Sequence, residues 1–89
     1  MDIQVEKLTQ DEIARRRISS WPIWEKEVSG FDWYYDDTEE CYLLEGRVVV
    51  ETQDGKKVEF GKGDFVTFPK GLGCTWDIKE SVRKHYNFK

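Results

Sequence analysis

At 89 residues the chain has room for one domain, since domains commonly take roughly 100 to 200 residues. Its net charge of -4 leaves no basic surplus for nucleic acid, and no run approaches the roughly 18 apolar residues of a membrane span. The expectation is a single domain over residues 1–89, cytoplasmic, with neither nucleic acid nor membrane as partner.

The N-terminus has no apolar stretch of the signal-peptide kind. Two cysteines, Cys41 and Cys74, are too few for a disulfide framework and are expected as free thiols. Four Trp, four Tyr and five Phe fill volume with few residues, which lets so small a chain build a core.

In chain order, Ile3 to Lys7 reads as a short strand. Thr9-Gln10-Asp11-Glu12 is a capping box, which predicts a helix of about two turns ending near Arg17. Arg15-Arg16-Arg17, beside Asp11 and Glu12, reads as the solvated face of that helix rather than a phosphate patch. In Trp21-Pro22-Ile23-Trp24, Pro22 holds Trp21 extended, so residues 1–24 form a helix and an arm covering a face or edge of a sheet.

Residues 25–89 alternate short extended runs with turn residues. Phe31 to Tyr35 and Glu39 to Glu45 are strands, Gly46 permits a bend, and Arg47 to Gln53 is strongly β-forming through Val48, Val49 and Val50. Asp54-Gly55 predicts a two-residue type I′ hairpin to Lys56 to Phe60. Strands Phe65 to Phe68, Cys74 to Ile78 and Val82 to Phe88 follow, separated by Gly61-Lys62-Gly63-Asp64 and Pro69-Lys70-Gly71 turns. Eight or nine strands so spaced predict an all-β antiparallel jelly-roll barrel with one short N-terminal helix.

Gly63, Pro69 and Gly71 keep the spacing of glycine, five residues, proline, one residue, glycine; Glu39 and Glu45-Gly46 lie upstream across the hairpin. In these features the chain resembles the cupins over about residues 30–78. Trp21-Pro-Ile-Trp24, Phe31-Asp-Trp-Tyr-Tyr35, Phe68-Pro-Lys-Gly71, Trp76 and Val82-Arg-Lys-His-Tyr86 further resemble small cupins grouped with the ureidoglycine aminohydrolase cupin domain.

That resemblance implies a metal held by three histidines and a glutamate. Counting from the motifs, the histidine positions fall on Trp33, Tyr35 and Cys74, and only Glu39 keeps its expected identity. Indole does not ligate, and a phenol must lose a proton of pKa about 10. Glu39 and Cys74 make two ligands where zinc takes three or four, and His85 would be needed as a third. No cofactor is therefore expected, a divalent metal being the disfavoured alternative.

Period-two alternation puts Trp33, Tyr35, Glu39 and Cys41 on one face, and Cys74, Trp76 and Ile78 on one face of a later strand. If these faces meet, they wall a pocket for a small-molecule ligand. Glu39 is the candidate general acid or base, against a structural ion pair with Lys84 or Arg83. Cys74 is the candidate nucleophile, against a small buried hydrophobe. Trp33, Tyr35, Cys41, Trp76, Lys84 and His85 are candidate substrate contacts, against plain core or surface positions.

Three functions compete: a cupin that binds or transforms a small polar metabolite, a structural or regulatory dimer whose barrel the large rings have filled, and a weak metalloprotein using Glu39, Cys74 and His85. A homodimer is expected because Val49 and the Trp21 to Trp24 arm offer more apolar surface than one small barrel buries.

Overall fold

The computed structural model describes residues 2–89. Its strands are β1 (Gln4–Lys7), β2 (Ile23–Lys26), β3 (Ser29–Tyr34), β4 (Glu39–Thr52), β5 (Lys57–Gly61), β6 (Asp64–Phe68) and β7 (Gly73–Phe88), with helix α1 (Gln10–Arg15) and a 3₁₀ turn at Ile18–Ser20.

Strands β4 and β7 organise the rest, pairing antiparallel from Glu39↔Phe88 to Thr52↔Cys74. The first half of β4 lies in a sheet of order β1-β6-β4-β7-β2. Its second half lies between β5 and the first half of β7, with β3 beyond. The two half-sheets fold over one another as an antiparallel jelly roll, and rings meet across the gap. Phe68 of β6 sits 5.7 Å from Trp76 of β7 and 5.8 Å from Phe60 of β5, centroid to centroid.

The bend between the halves is set at Gly46. Its φ is +108°, and a Cβ there would stand 2.6 Å from the Ser81 carbonyl oxygen and 2.9 Å from Val82 Cα. The β4–β7 register slips three times between Leu43 and Val48, which swaps the inward parity. Glu39, Cys41 and Leu43 are buried before the slip, Val48, Val50 and Thr52 after it. The residue pattern predicts separate strands on either side of Gly46 and again around residues 79–81. A bulged ladder stays paired through a bend, so each pair is one long strand, and the described residues form seven strands rather than eight or nine.

The hairpin at Asp54-Gly55 forms, but not as a two-residue type I′ turn. Gly55 has φ +85° while Asp54 does not enter the left-handed region. The Gly55 N–H donates to the Thr52 carbonyl at 2.9 Å, and the Thr52 N–H to the Lys56 carbonyl at 2.8 Å. This is a three-residue loop whose glycine supplies the left-handed position.

The capping box is present: the Glu12 N–H donates to Thr9 Oγ1 at 3.1 Å and the Thr9 N–H to Glu12 Oε1 at 3.0 Å. The helix stops at Arg15 instead of Arg17, because Arg17 takes a left-handed φ of 55° and turns the chain. That turn lays buried Ile18 and half-buried Trp21 on the outer side of the first half-sheet. Trp21 lies 6.4 Å from the Phe65 ring, and the Arg16 guanidinium 4.9 Å from it, so Arg16 packs on an aromatic face as well as meeting solvent.

Candidate functional site

A cavity of about 220 Å³ lies between the half-sheets at the end where β4 begins and β7 finishes. Alternation on β3 aims Phe31 and Trp33 into it, and Tyr35 follows in the same phase. Strand β7 contributes Trp76, Lys84, Tyr86 and Phe88, while Trp24 comes from β2 and Glu39 from the start of β4. Trp33 and Phe88, each about half exposed, form the rim.

The rings hold each other in place. Phe31 stacks on Trp76 at 6.0 Å, and Trp24 meets both edge-on. Trp76 Nε1 donates to Tyr35 Oη at 3.1 Å, and Tyr35 stacks on Phe68 at 4.7 Å. The Pro69–Gly71 turn fixes the Tyr35 backbone: the Gly71 N–H donates to the Tyr35 carbonyl at 2.7 Å, and the Tyr35 N–H to the Leu72 carbonyl at 2.9 Å. Gly71 has φ +89°, so the motif glycine is needed for the turn that positions this phenol.

At the polar floor, Lys84 Nζ donates to Glu39 Oε2 at 2.7 Å, with both side chains under a tenth exposed. The same ammonium lies 4.9 Å from the Trp24 ring and 4.8 Å from the Trp76 ring. Two indole faces and a carboxylate thus replace its hydration, which is what a buried cation requires. Of Arg83 and Lys84, the structure turns Lys84 inward and leaves Arg83 exposed.

The remaining sequence candidates lie elsewhere. Cys41 is fully buried one pleat beyond Glu39 and does not line the cavity; burial pushes its thiol up to about 12, against a partial opposing pull from Lys84. Cys74 packs in the core opposite Thr52 on β4, also away from the cavity, and burial pushes its thiol up to about 11, with Asp32 adding to the shift. Two thiols held protonated are unlike nucleophiles, which need thiolate character. His85 faces the opposite side of β7 from Lys84. Its Nδ1 bonds the Trp21 carbonyl at 2.9 Å, anchoring the arm.

Four lining residues, Trp24, Phe31, Tyr86 and Phe88, are not among the candidates that the sequence pattern offers. Phe31 shares the phase of Trp33 and was findable from it, whereas Tyr86 and Phe88 share that of Lys84 and needed its facing to be known. Trp24 reaches the cavity because β2 pairs it opposite Lys84, a long-range register no local pattern reports.

The metal expected of a histidine-bearing cupin can be tested against this donor set. Trp33 offers no ligand atom, Tyr35 is pushed well above the usual phenol range by burial and by Glu39, and its oxygen already accepts from Trp76. Cys74 and His85 point elsewhere, and the Glu39 carboxylate already neutralises an ammonium. Among the described residues no group of three or more His, Cys, Asp or Glu gathers in ligating geometry. The residues present do not fit the metal.

Comparison with known proteins places the chain. A model of the EutQ-like cupin domain matches residues 13–86. A DUF861 family protein from Thermotoga maritima is 57% identical, with 99% of this chain and 100% of that one covered and a TM-score of 0.98. A DUF861 family protein of unknown function from Pseudomonas syringae pv. tomato is 29% identical over 72% of this chain and 28% of that one, TM-score 0.65. The EutQ protein of Clostridium difficile shares the fold at 23% identity, with 94% of this chain and 64% of that one covered and a TM-score of 0.67. The chain therefore spans less than two thirds of these last two proteins. No curated protein matches it. With its motif glycines, its jelly roll and a family match over most of its length, the chain belongs to the EutQ-like cupin domain family.

Proposed function

We propose that this cupin binds a small polar metabolite in the cavity between its half-sheets, with Glu39 as the principal polar group and Lys84 as its partner. The supporting observation is a cavity of about 220 Å³ walled by rings around a buried ion pair. At roughly 30 Å³ per liquid water that is space for a molecule of one ring, whereas a barrel filled by its own rings would leave none. In any turnover Glu39, the one carboxylate in the lining, is the group placed to accept or return a proton. The finer resemblance to the ureidoglycine aminohydrolase cupin domain agrees with a nitrogen-containing ligand, which this pair of groups would recognise.

The test is a thermal-shift screen of small metabolites on the wild type and on Glu39→Gln. A ligand at a hundred times its Kd adds about 2.7 kcal/mol, a Tm rise of roughly 10 to 20 °C in a domain of this size. Binding that survives Glu39→Gln unchanged removes Glu39 from the reading. We also propose a cytoplasmic homodimer, for which exposed Val28 and Tyr34 offer apolar surface beside and on edge strand β3. Light scattering that returns a monomer mass overturns the dimer.

A further inference from the structure

The cavity is balanced in charge. Glu39 and Lys84 supply one charge of each sign 2.7 Å apart, and every other lining side chain is an aromatic ring. A ligand with net charge entering such a site gives up its hydration with nothing left over to neutralise it. An uncharged ligand leaves the balance as it is.

The pair also keeps bonding capacity of both kinds. The bond to Lys84 uses Oε2 of Glu39, so Oε1 is free of it; of the ammonium's three donors one goes to Glu39 and the others lie over the Trp24 and Trp76 faces, weaker acceptors than a ligand carbonyl. An acceptor beside a donor matches a ligand edge on which an N–H adjoins a C=O. Every other side of the cavity is an aromatic ring, which favours a flat body behind that edge.

We infer that the cavity selects flat, uncharged, single-ring cyclic amides, whose N–H donates to the Glu39 carboxylate while the adjacent C=O accepts from the Lys84 ammonium. This rests on the cavity being a ligand site, and it adds the chemical class of ligand.

The experiment titrates the whole protein at neutral pH with four probes of similar size: α-pyridone, benzoate, benzylamine and toluene. Affinity is read by calorimetry and location by the indole N–H resonances of Trp24 and Trp76. The wild type is expected to bind α-pyridone about ten- to a hundredfold tighter than the other three, the worth of hydrogen bonds to charged groups. Glu39→Gln, which leaves the ammonium alone, should turn the preference to benzoate; Lys84→Met, which leaves the carboxylate alone, should turn it to benzylamine. A wild type that prefers benzoate, benzylamine or toluene overturns the ligand class and leaves the cavity as a ligand site. If none of the four probes moves the indole resonances, both fall. Should either variant fail to fold, the wild-type ranking decides by itself.

Discussion

Removing Lys84 should destabilise the protein in a way that depends on pH, and the size follows from the pair's surroundings. Glu39 and Lys84 lie 2.7 Å apart with side chains 6% and 7% exposed. At an effective dielectric of about 20 their attraction is about 6 kcal/mol, most of it offset by the several kcal/mol each ion loses on leaving water. Taking away one partner forfeits the attraction and keeps the other's desolvation, a loss of about 3 to 5 kcal/mol in buried pairs.

In Lys84→Met the stranded carboxylate has one escape, which is to take up a proton. For a carboxyl group of ordinary acidity, pKa about 4.3, that costs roughly 4 kcal/mol at pH 7 and roughly 1 kcal/mol at pH 5. The sign is clear: above pH 4.3 the unfolded chain releases this proton while the folded variant keeps it, so the variant loses stability relative to wild type as pH rises. Urea unfolding followed by tryptophan fluorescence should give a deficit of about 3 to 4 kcal/mol at pH 7, shrinking by about 3 kcal/mol at pH 5. The double variant Glu39→Gln with Lys84→Met should recover much of the loss. A deficit below about 1 kcal/mol at pH 7, or one that does not change with pH, would refute the reasoning.

Three further outcomes are expected. Both thiols should resist Ellman's reagent in the native protein and react on unfolding; because the folded state holds Cys41 and Cys74 protonated to about 12 and about 11 while the unfolded chain ionises near 9.0, stability should fall as pH rises through that window, and Cys41→Ala should flatten the decline measured by urea titration. Gly46→Ala should cost at least about 2 kcal/mol in the same assay, since a left-handed φ and a clash with the Ser81 backbone act together; a loss within about 0.5 kcal/mol would show that the bend relaxes freely. Zinc, manganese and nickel should leave the Tm unchanged, and stoichiometric metal by elemental analysis of protein purified without additions would overturn the donor-set argument.

What the chain's own residues determined was mostly local. Gly46, Gly55, Gly63 and Gly71 all adopt positive φ, so the turns that cut the chain into strands were readable one residue at a time. The capping box needed only four neighbouring residues, and period-two alternation correctly grouped Trp33, Tyr35 and Glu39 toward one cavity. The same alternation misplaced Cys41 and Cys74 relative to that cavity, because facing inward puts a side chain in the core without saying at which end.

Tertiary structure decided the rest. Whether Lys84 or Arg83 points inward depends on the bulges where β4 crosses β7, and those exist only once the two strands pair. Trp24 reaches the ammonium through the β2–β7 register, and His85 finds the Trp21 carbonyl 64 positions earlier in the chain. Single side chains dictate turns through their own allowed backbone angles. A buried ion pair between residues 45 positions apart is instead a product of long-range pairing, and no window on the sequence contains both of its halves.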